Sequence, residues 1–515
     1  MAAATLSSRV MGMVREMVYS GFMGDNWVAS AFVLAFSIPN LFRRLLGEGA
    51  LTAAFIPIFK EKERTGEEAE MWRATNAVIS GLVAAATVLT CVAILVITVA
   101  LHVGAFDQAT FLMLRLTRVM FPYMLLICLT AIFMGILNAR GHFFIPASGA
   151  LIMNVVMIAS VIFLAPHVGR TLPTQIFGLA IGVLIAGVAQ AAFQIPTLRS
   201  EGFRYRWVSP WNDATVRRCV RQMIPGAIGV AAFQLNVVLV QGVAFLMVDK
   251  TINASFRYSI GLMELPQGVF GISLATYLLP TLSGLAAEKN YPEFRSTLNQ
   301  GVNYLVFVNL LASILLLILA VPIIRLLFEH GRFDEGSTHR AAFALRFLAP
   351  GLLAFSLANI FARAFYALGD TRTPMKISVF CIGVNILFAL VFVWTMRQGG
   401  LGLANSVSAW ANASLLFYAL RRKLGKLDLD VLKQVLTGFG AAALVAASTA
   451  WTLAYYWDKL LGHAKVWQRL GHVFVPMTLA SAAYLMIALW FEIPQATELI
   501  ETVMARLPRK KPSAD

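Results

Sequence analysis

Apolar stretches of about twenty residues, parted by short polar connections, recur along the whole chain, and each is long enough to cross a ~30 Å hydrocarbon core as a helix. Fourteen spans fit: 5–22, 27–58, 77–101, 113–138, 147–165, 174–196, 219–247, 254–284, 299–327, 341–367, 375–396, 401–420, 432–456 and 470–493. Several of these runs are long enough to require tilted helices or helices that extend past the bilayer. No segment shows the short dyad alternation of an outer-membrane barrel. The pattern predicts an all-α polytopic membrane protein.

A repeat organises these spans. Pro122 and Pro146 bracket YMLLICLTAIFMGILNARGHFFI, and Pro350 and Pro374 bracket GLLAFSLANIFARAFYALGDTRT at the same spacing. Each segment is an apolar helix, a small turn, and a proline that opens the next helix. A looser echo pairs IPNLFRRLLGEGALTAAFIP (38–57) with LPQGVFGISLATYLLP (265–280). Both pairs lie six spans apart and cross in the same direction, so the repeat is parallel, as in transporters built from two six-helix halves. The expected domains are a first lobe at 1–200, a second at 201–425, two further transmembrane helices at 426–495 and a basic tail at 496–515.

Composition agrees, with 59% of the 515 residues apolar and 13% charged. The net charge of +16 comes from Lys and Arg dispersed through short connections, which reads as loop charge and not as a nucleic-acid surface. With the N-terminus inside, the inside connections hold roughly 24 Lys/Arg against about 11 outside, the bias expected of cytoplasmic loops. Both termini are then cytoplasmic. No order of charged, apolar and cleavage-site segments marks a removable signal peptide. Cys91, Cys128, Cys219 and Cys381 are scattered, without a CxxC pair, so neither a disulfide frame nor a metal site is expected. HExxH, DDxxD and P-loop motifs are missing from the sequence, so no metal or nucleotide cofactor is implied.

Polar residues inside apolar runs carry the functional signal. Asn40, Arg43, Arg44, Gly47 and Glu48 recur at i, i+3, i+4, i+7 and i+8, forming one stripe on a helix, and Arg9 and Arg15 add charge on the helix before it. A guanidinium at membrane depth costs ~2.5 kcal/mol or more, so it persists where it meets a wet cavity or an anion. Arg9 and Arg15 are six residues apart, ~120° around a helix, and would line a broad cavity instead of clamping one point. Snorkelling to the headgroups is their alternative explanation. Arg44 can pair with Glu48 at i+4, leaving Arg43 for substrate. Glu264 is the carboxylate in the apolar middle of the second half, and Arg257, seven residues earlier, shares its face. Glu16, Glu48 and Glu264 are too dispersed for an intramembrane enzyme acting on polyprenyl lipids. Pro39 and Pro266 sit at matching repeat positions and should kink their helices.

The segments SSRVMGMVRE (7–16), SAFVLAFSIPNLFRRLLGEGALTAAFIPIFKE (30–61), FPYMLLICLTAIFMGILNARGHFFIPA (121–147), GLMELPQGVFGISLATYLLPTLS (261–283), LFEHGRFDEGST (327–338) and YALGDTRTPMKIS (366–378) resemble the MurJ (MviN) lipid II flippases. These belong to the multidrug/oligosaccharidyl-lipid/polysaccharide exporter superfamily. The resemblance spans most of the chain. It implies fourteen helices, two six-helix lobes around a central cavity, and a C-terminal pair that helps form a groove for the lipid tail. It also implies transport of lipid II, a pyrophosphate-linked muropeptide lipid, from the cytoplasmic to the outer leaflet of the bacterial inner membrane. Lipid II, membrane lipids and cell-wall synthesis proteins are the partners implied. Three family cavity arginines fall on Arg9, Arg15 and Arg43, and the family's acidic residue falls on Glu48. Two positions depart: a family aspartate is Ser30 here, and a fourth arginine is Gly261, with Arg257 one turn earlier as its replacement. Some relatives bind sodium through a carboxylate on the seventh helix. Here Gln234, Asn236 and Asn385 offer only neutral oxygens, which can coordinate a hard cation such as sodium but more often bond neighbouring helices. Membrane potential is therefore the simpler driving force and sodium coupling the alternative. Export of another polyprenyl-linked oligosaccharide, or of drugs, is the alternative activity.

Overall fold

The computed structural model describes residues 2–42, 51–65, 68–425, 429–498 and 501, and the regular structure among them is helical. In chain order the helices are α1 (Ala2–Met23), α2 (Trp27–Phe42), α3 (Leu51–Thr65), α4 (Glu68–Val103), α5 (Gln108–Met120), α6 (Tyr123–Ala139), α7 (Phe144–Ala159), α8 (Ala165–Val168), α9 (Leu172–Ser200), α10 (Ala214–Val243), α11 (Ile252–Pro266), α12 (Ser273–Ala287), α13 (Tyr291–Ile318), α14 (Ala320–Phe328), α15 (Glu335–Ala367), α16 (Arg372–Met396), α17 (Gln398–Leu424), α18 (Leu429–Leu461) and α19 (Val466–Trp490). Among the described residues, 9 spans are long and apolar enough to cross a membrane, or 10 when α5 and α6, bent by 43°, count as one. The expected spans 5–22, 27–58, 219–247 and 401–420 do not meet that test among the described residues. Val88, Val92, Leu95 and Val99 of α4 are exposed. That suits a helix whose surrounding solvent is lipid, with its backbone bonds satisfied internally.

Two compact units divide the chain: Met1–Tyr258 with Phe328–Ser337, and Ser259–Leu327 with Thr338–Asp515. In the first, Phe55, Phe59, Trp72, Ile136 and Phe203 fill a core under α3, α4 and α6. Gly182 of α9 packs directly on Ser160, in the π-helical turn Ser160–Leu164 that follows α7. Small residues let helix backbones approach closely where lipid supplies no hydrophobic drive. In the second unit, α12, α13, α15 and α17 enclose Phe294, Phe361, Phe365 and Leu416. Tyr484 of α19 donates to the Phe307 carbonyl on α13 at 3.0 Å, tying the last helix to the core.

The sequence repeat is also a repeat of backbone bonds. After α6, His142 N donates to Leu137 O and Gly141 N to Asn138 O; after α15, Asp370 N donates to Phe365 O and Gly369 N to Tyr366 O. Gly141 and Gly369 occupy the left-handed region at φ 87° and 73°. Both helices therefore end in the same glycine-dependent reversal. Of the two expected kinks, Pro39 lies in the last turn of α2, and Pro266 leads into a π-helical turn, Gln267–Ile272, before α12. A proline removes one intrahelical bond, and the wider turn absorbs the break.

Connections assigned to one side of the membrane meet one another in the first unit. Arg140 lies 3.2 Å from Glu63 and 3.9 Å from Glu201, and His142 lies 2.7 Å from Glu201. Connections of the opposite set meet through Lys250 and Asp107 at 3.4 Å.

Candidate functional site

The site grows from α1. Arg15 stands eight residues before its last residue, Met23, about 12 Å inside the helix end. Its guanidinium reaches Glu16 at 2.6 Å and donates to Asn154 Oδ1 of α7 at 3.0 Å. Asn154 donates in turn to the Ser8 carbonyl at 3.1 Å, fixing α7 against α1. Tyr19, one turn on, lies under the Arg15 guanidinium at 5.5 Å. Arg257 of α11 reaches the same Glu16 oxygen at 2.8 Å. Glu16 is 7% exposed, whereas the Arg257 side chain keeps 37% of its surface open. Two guanidinium groups thus share one carboxylate, and the triad carries one net positive charge.

A clasp of buried polar bonds holds α11 in register with α1. Ser255 donates to Asp25 at 2.8 Å, and Tyr258 donates to the Gly24 carbonyl at 3.1 Å. Ser30 accepts from the Ala254 amide at 2.9 Å. Gly24 has φ +65°, and a Cβ there would strike the Arg332 carbonyl. Arg332 donates to the Phe22 carbonyl at 2.7 Å, closing the clasp from the Phe328–Ser337 segment.

Among the expected site residues, the structure brings Arg15 and Arg257 together through Glu16. Arg9 is half-buried two turns earlier on α1. Glu264 is exposed on α11, within the second unit. Arg43, Arg44 and Glu48 lie outside the described residues. Gln234 and Asn236 are buried on α10 of the first unit and Asn385 on α16 of the second. No group of three His, Cys, Asp or Glu able to hold a metal occurs among the described residues. Sequence reasoning missed the bridging part of Glu16, and the parts of Asn154, Asp25 and Ser255. The one available signal was an acid directly after Arg15 inside an apolar helix.

The family model described as Lipid II flippase MurJ matches residues 19–470. This chain belongs to the MurJ family. A probable lipid II flippase MurJ of Haemophilus influenzae is 31% identical over 476 residues, covering 88% of this chain and 90% of that protein. The lipid II flippase MurJ of Burkholderia cenocepacia is 33% identical over 429 residues, covering 81% and 82%. In fold, the chain is similar to a solved lipid II flippase MurJ in an inward closed conformation, with TM-score 0.78 at 20% identity over 97% of this chain and 99% of that one. It is also similar to an inward-facing multidrug MATE transporter of the MOP superfamily, with TM-score 0.66 at 15% identity over 83% and 98%. Against the MurJ pattern, the two departures acquire a structural setting. Ser30 is buried against the first turn of α11 while Asp25, five residues earlier, supplies a buried acid there. Gly261 has no atom within 4 Å of an added Cβ, and Arg257 stands one turn before it.

Proposed function

We infer that this chain is a flippase that carries lipid II from the cytoplasmic to the outer leaflet of the inner membrane. The observation that carries the reading is the triad of Arg15, Glu16 and Arg257: two guanidinium groups on one buried carboxylate, partly accessible at Arg257, with geometry fixed by Asn154 and Tyr19. A pyrophosphate is the matching ligand, because a guanidinium fork grips phosphate oxygens in pairs. Arg9, Arg43 and Arg44 extend the cationic lining, Glu48 tempers its self-repulsion, and Glu264 contacts the head group from the second half. The chain works as a transporter and not as a catalyst. Its two six-helix halves rock about the head group in alternating access, and the last two spans guide the lipid tail. Membrane potential acting on the cationic lining supplies ~2.3 kcal/mol per charge per 100 mV. Both termini lie in the cytoplasm.

Depletion of an essential lipid II flippase in a bacterium expressing this chain tests the reading. Wild type restores growth, whereas Arg15→Ala and Arg43→Ala, at equal membrane abundance, do not. Failure of abundant wild type overturns the activity; rescue by Arg15→Ala overturns the site.

A further inference from the structure

A groove of about 1040 Å³ runs along the outside of the first unit between α4 and α10. Its walls are apolar: Val78, Leu82, Val88 and Val92 on α4, Val220 and Ile224 on α10. From Val78 to Val92 it follows the helix axis for about 21 Å, somewhat more than the ~15 Å of one leaflet. The connection 201–213 seals one end. Asn76 donates to the Arg204 carbonyl at 3.0 Å, Ser80 bonds the Tyr205 hydroxyl at 3.2 Å, and Val208 N donates to Ser80 at 3.3 Å. Gly81 lets Pro210 lie close, 3.2 Å from where a Cβ would stand.

Charge is concentrated at this closed end. Arg217 and Arg221 are one turn apart on α10, share a face and line the groove. Arg218, between them, is drawn away by Glu61, with two bonds of 2.9 and 2.8 Å. The guanidinium groups of Arg217 and Arg221 have no ion-pair or hydrogen-bond partner among the described residues. The nearby Asp213 carboxylate accepts from the Thr215 and Val216 amides as the cap of α10. Trp211 is 78% exposed at the same level, where aromatic side chains mark the edge of the hydrocarbon.

We propose that this groove is a binding site for an anionic glycerophospholipid of the leaflet next to that connection. One acyl chain lies along α4 and α10, and the headgroup phosphate sits on Arg217 and Arg221. A groove one leaflet long suits a fatty-acyl chain, and a pair of unpartnered guanidinium groups selects a headgroup with net negative charge. A bound lipid fixes the connection 201–213 and the start of α10 to the membrane surface.

Native mass spectrometry of the full chain, with equimolar phosphatidylglycerol and phosphatidylcholine, tests this. Wild type retains phosphatidylglycerol over phosphatidylcholine by about tenfold. Arg217→Gln/Arg221→Gln brings the preference near unity, and Arg217→Lys/Arg221→Lys keeps it. Ala85→Trp fills the groove and lowers retention of both lipids while the arginines remain. Arg199→Gln/Arg206→Gln removes equal charge outside the groove and leaves the preference intact. Gel-filtration profiles matching wild type certify each variant as folded. Equal retention of both lipids by wild type overturns the proposal, as does equal loss in the Arg199/Arg206 pair. Displacement of phosphatidylglycerol by equimolar polyprenyl phosphate also overturns it, because the groove would then serve the substrate's own tail.

Discussion

Arg15 and Arg140 are both largely covered arginines set among carboxylates and aromatic rings, yet the charges around them are arranged in opposite ways. The Arg15 side chain is 16% exposed and shares one carboxylate, Glu16, with Arg257. Arg140, 22% exposed, closes α6 with three carboxylates, Glu63, Glu201 and Glu68, within 4.0 Å, and lies over Phe59 and Trp72. In the first cluster two guanidinium groups converge on one buried carboxylate inside a helix; in the second, three carboxylates gather around Arg140 at a turn, with Lys60 on Glu63 and His142 on Glu201. The second arrangement staples three connections together, whereas the first leaves the Arg257 side chain 37% open beside a covered acid. The arrangement of charges around an arginine, more than its burial, separates a binding group from a structural one.

The largest expected effect comes from Glu16→Gln. It leaves Arg15 and Arg257 facing each other without their carboxylate, and removing one partner of a buried pair costs about 3–5 kcal/mol. Thermal melting in detergent should show a loss of many degrees, or no folded protein at all. A melt equal to wild type would mean that the triad does not exist as described. Next in size is transport in Arg257→Ala, which should fall to background in a lipid II translocation assay. The open space at Gly261 lets Arg257→Ala/Gly261→Arg recover a large part of it. A fully active Arg257→Ala would remove this arginine from the site.

Arg140→Ala should do much less. A partly solvated ion pair is worth about 1 kcal/mol or less, so this variant melts slightly lower and still restores growth. Loss of growth at normal abundance would erase the distinction between the two clusters. The smallest effect concerns Asp370, at the repeat-equivalent turn of the second unit. Lys423, at 2.7 Å, and the Thr373 amide hold its carboxyl at about 2, below the ~3.9 of an unfolded aspartate. A group lowered in the folded state contributes stability above the unfolded value and loses it as pH falls through the folded one. Between pH 4 and 2 the wild-type melting temperature should therefore drop more steeply than that of Lys423→Gln. Parallel curves would show that the pair contributes nothing.

The fold was largely legible because lipid is a uniform solvent: apolar length predicts a crossing helix whatever its neighbours. The turn after Pro122 and its echo after Pro350 were legible for a similar reason, since Gly141 and Gly369 impose a local backbone requirement. The site was legible only in part. Arg15 stood out because a charge in an apolar run needs a reason, but Asn154 of α7, which it bonds, and Arg257 of α11, which shares Glu16 with it, come from far along the chain. Asn154 and Arg257 have no spacing relation to Arg15 that periodicity can detect. Glu16, adjacent to Arg15 and about 100° around the helix, reads from sequence as facing elsewhere; a long side chain on each residue closes that angle. The pairing of Asp25 with Ser255 was hidden because a single acid near a helix end is usually a cap.

The most direct measurement is the affinity of the purified full chain for lipid II beside that for an analogue with the same polyprenyl chain and sugars but no phosphate. Wild type should bind the phosphate-bearing lipid at least about tenfold more tightly, a difference of ~1.4 kcal/mol, and Arg15→Gln should lose most of that preference. Equal affinity of wild type for both lipids, or an undiminished preference in Arg15→Gln, would contradict the account.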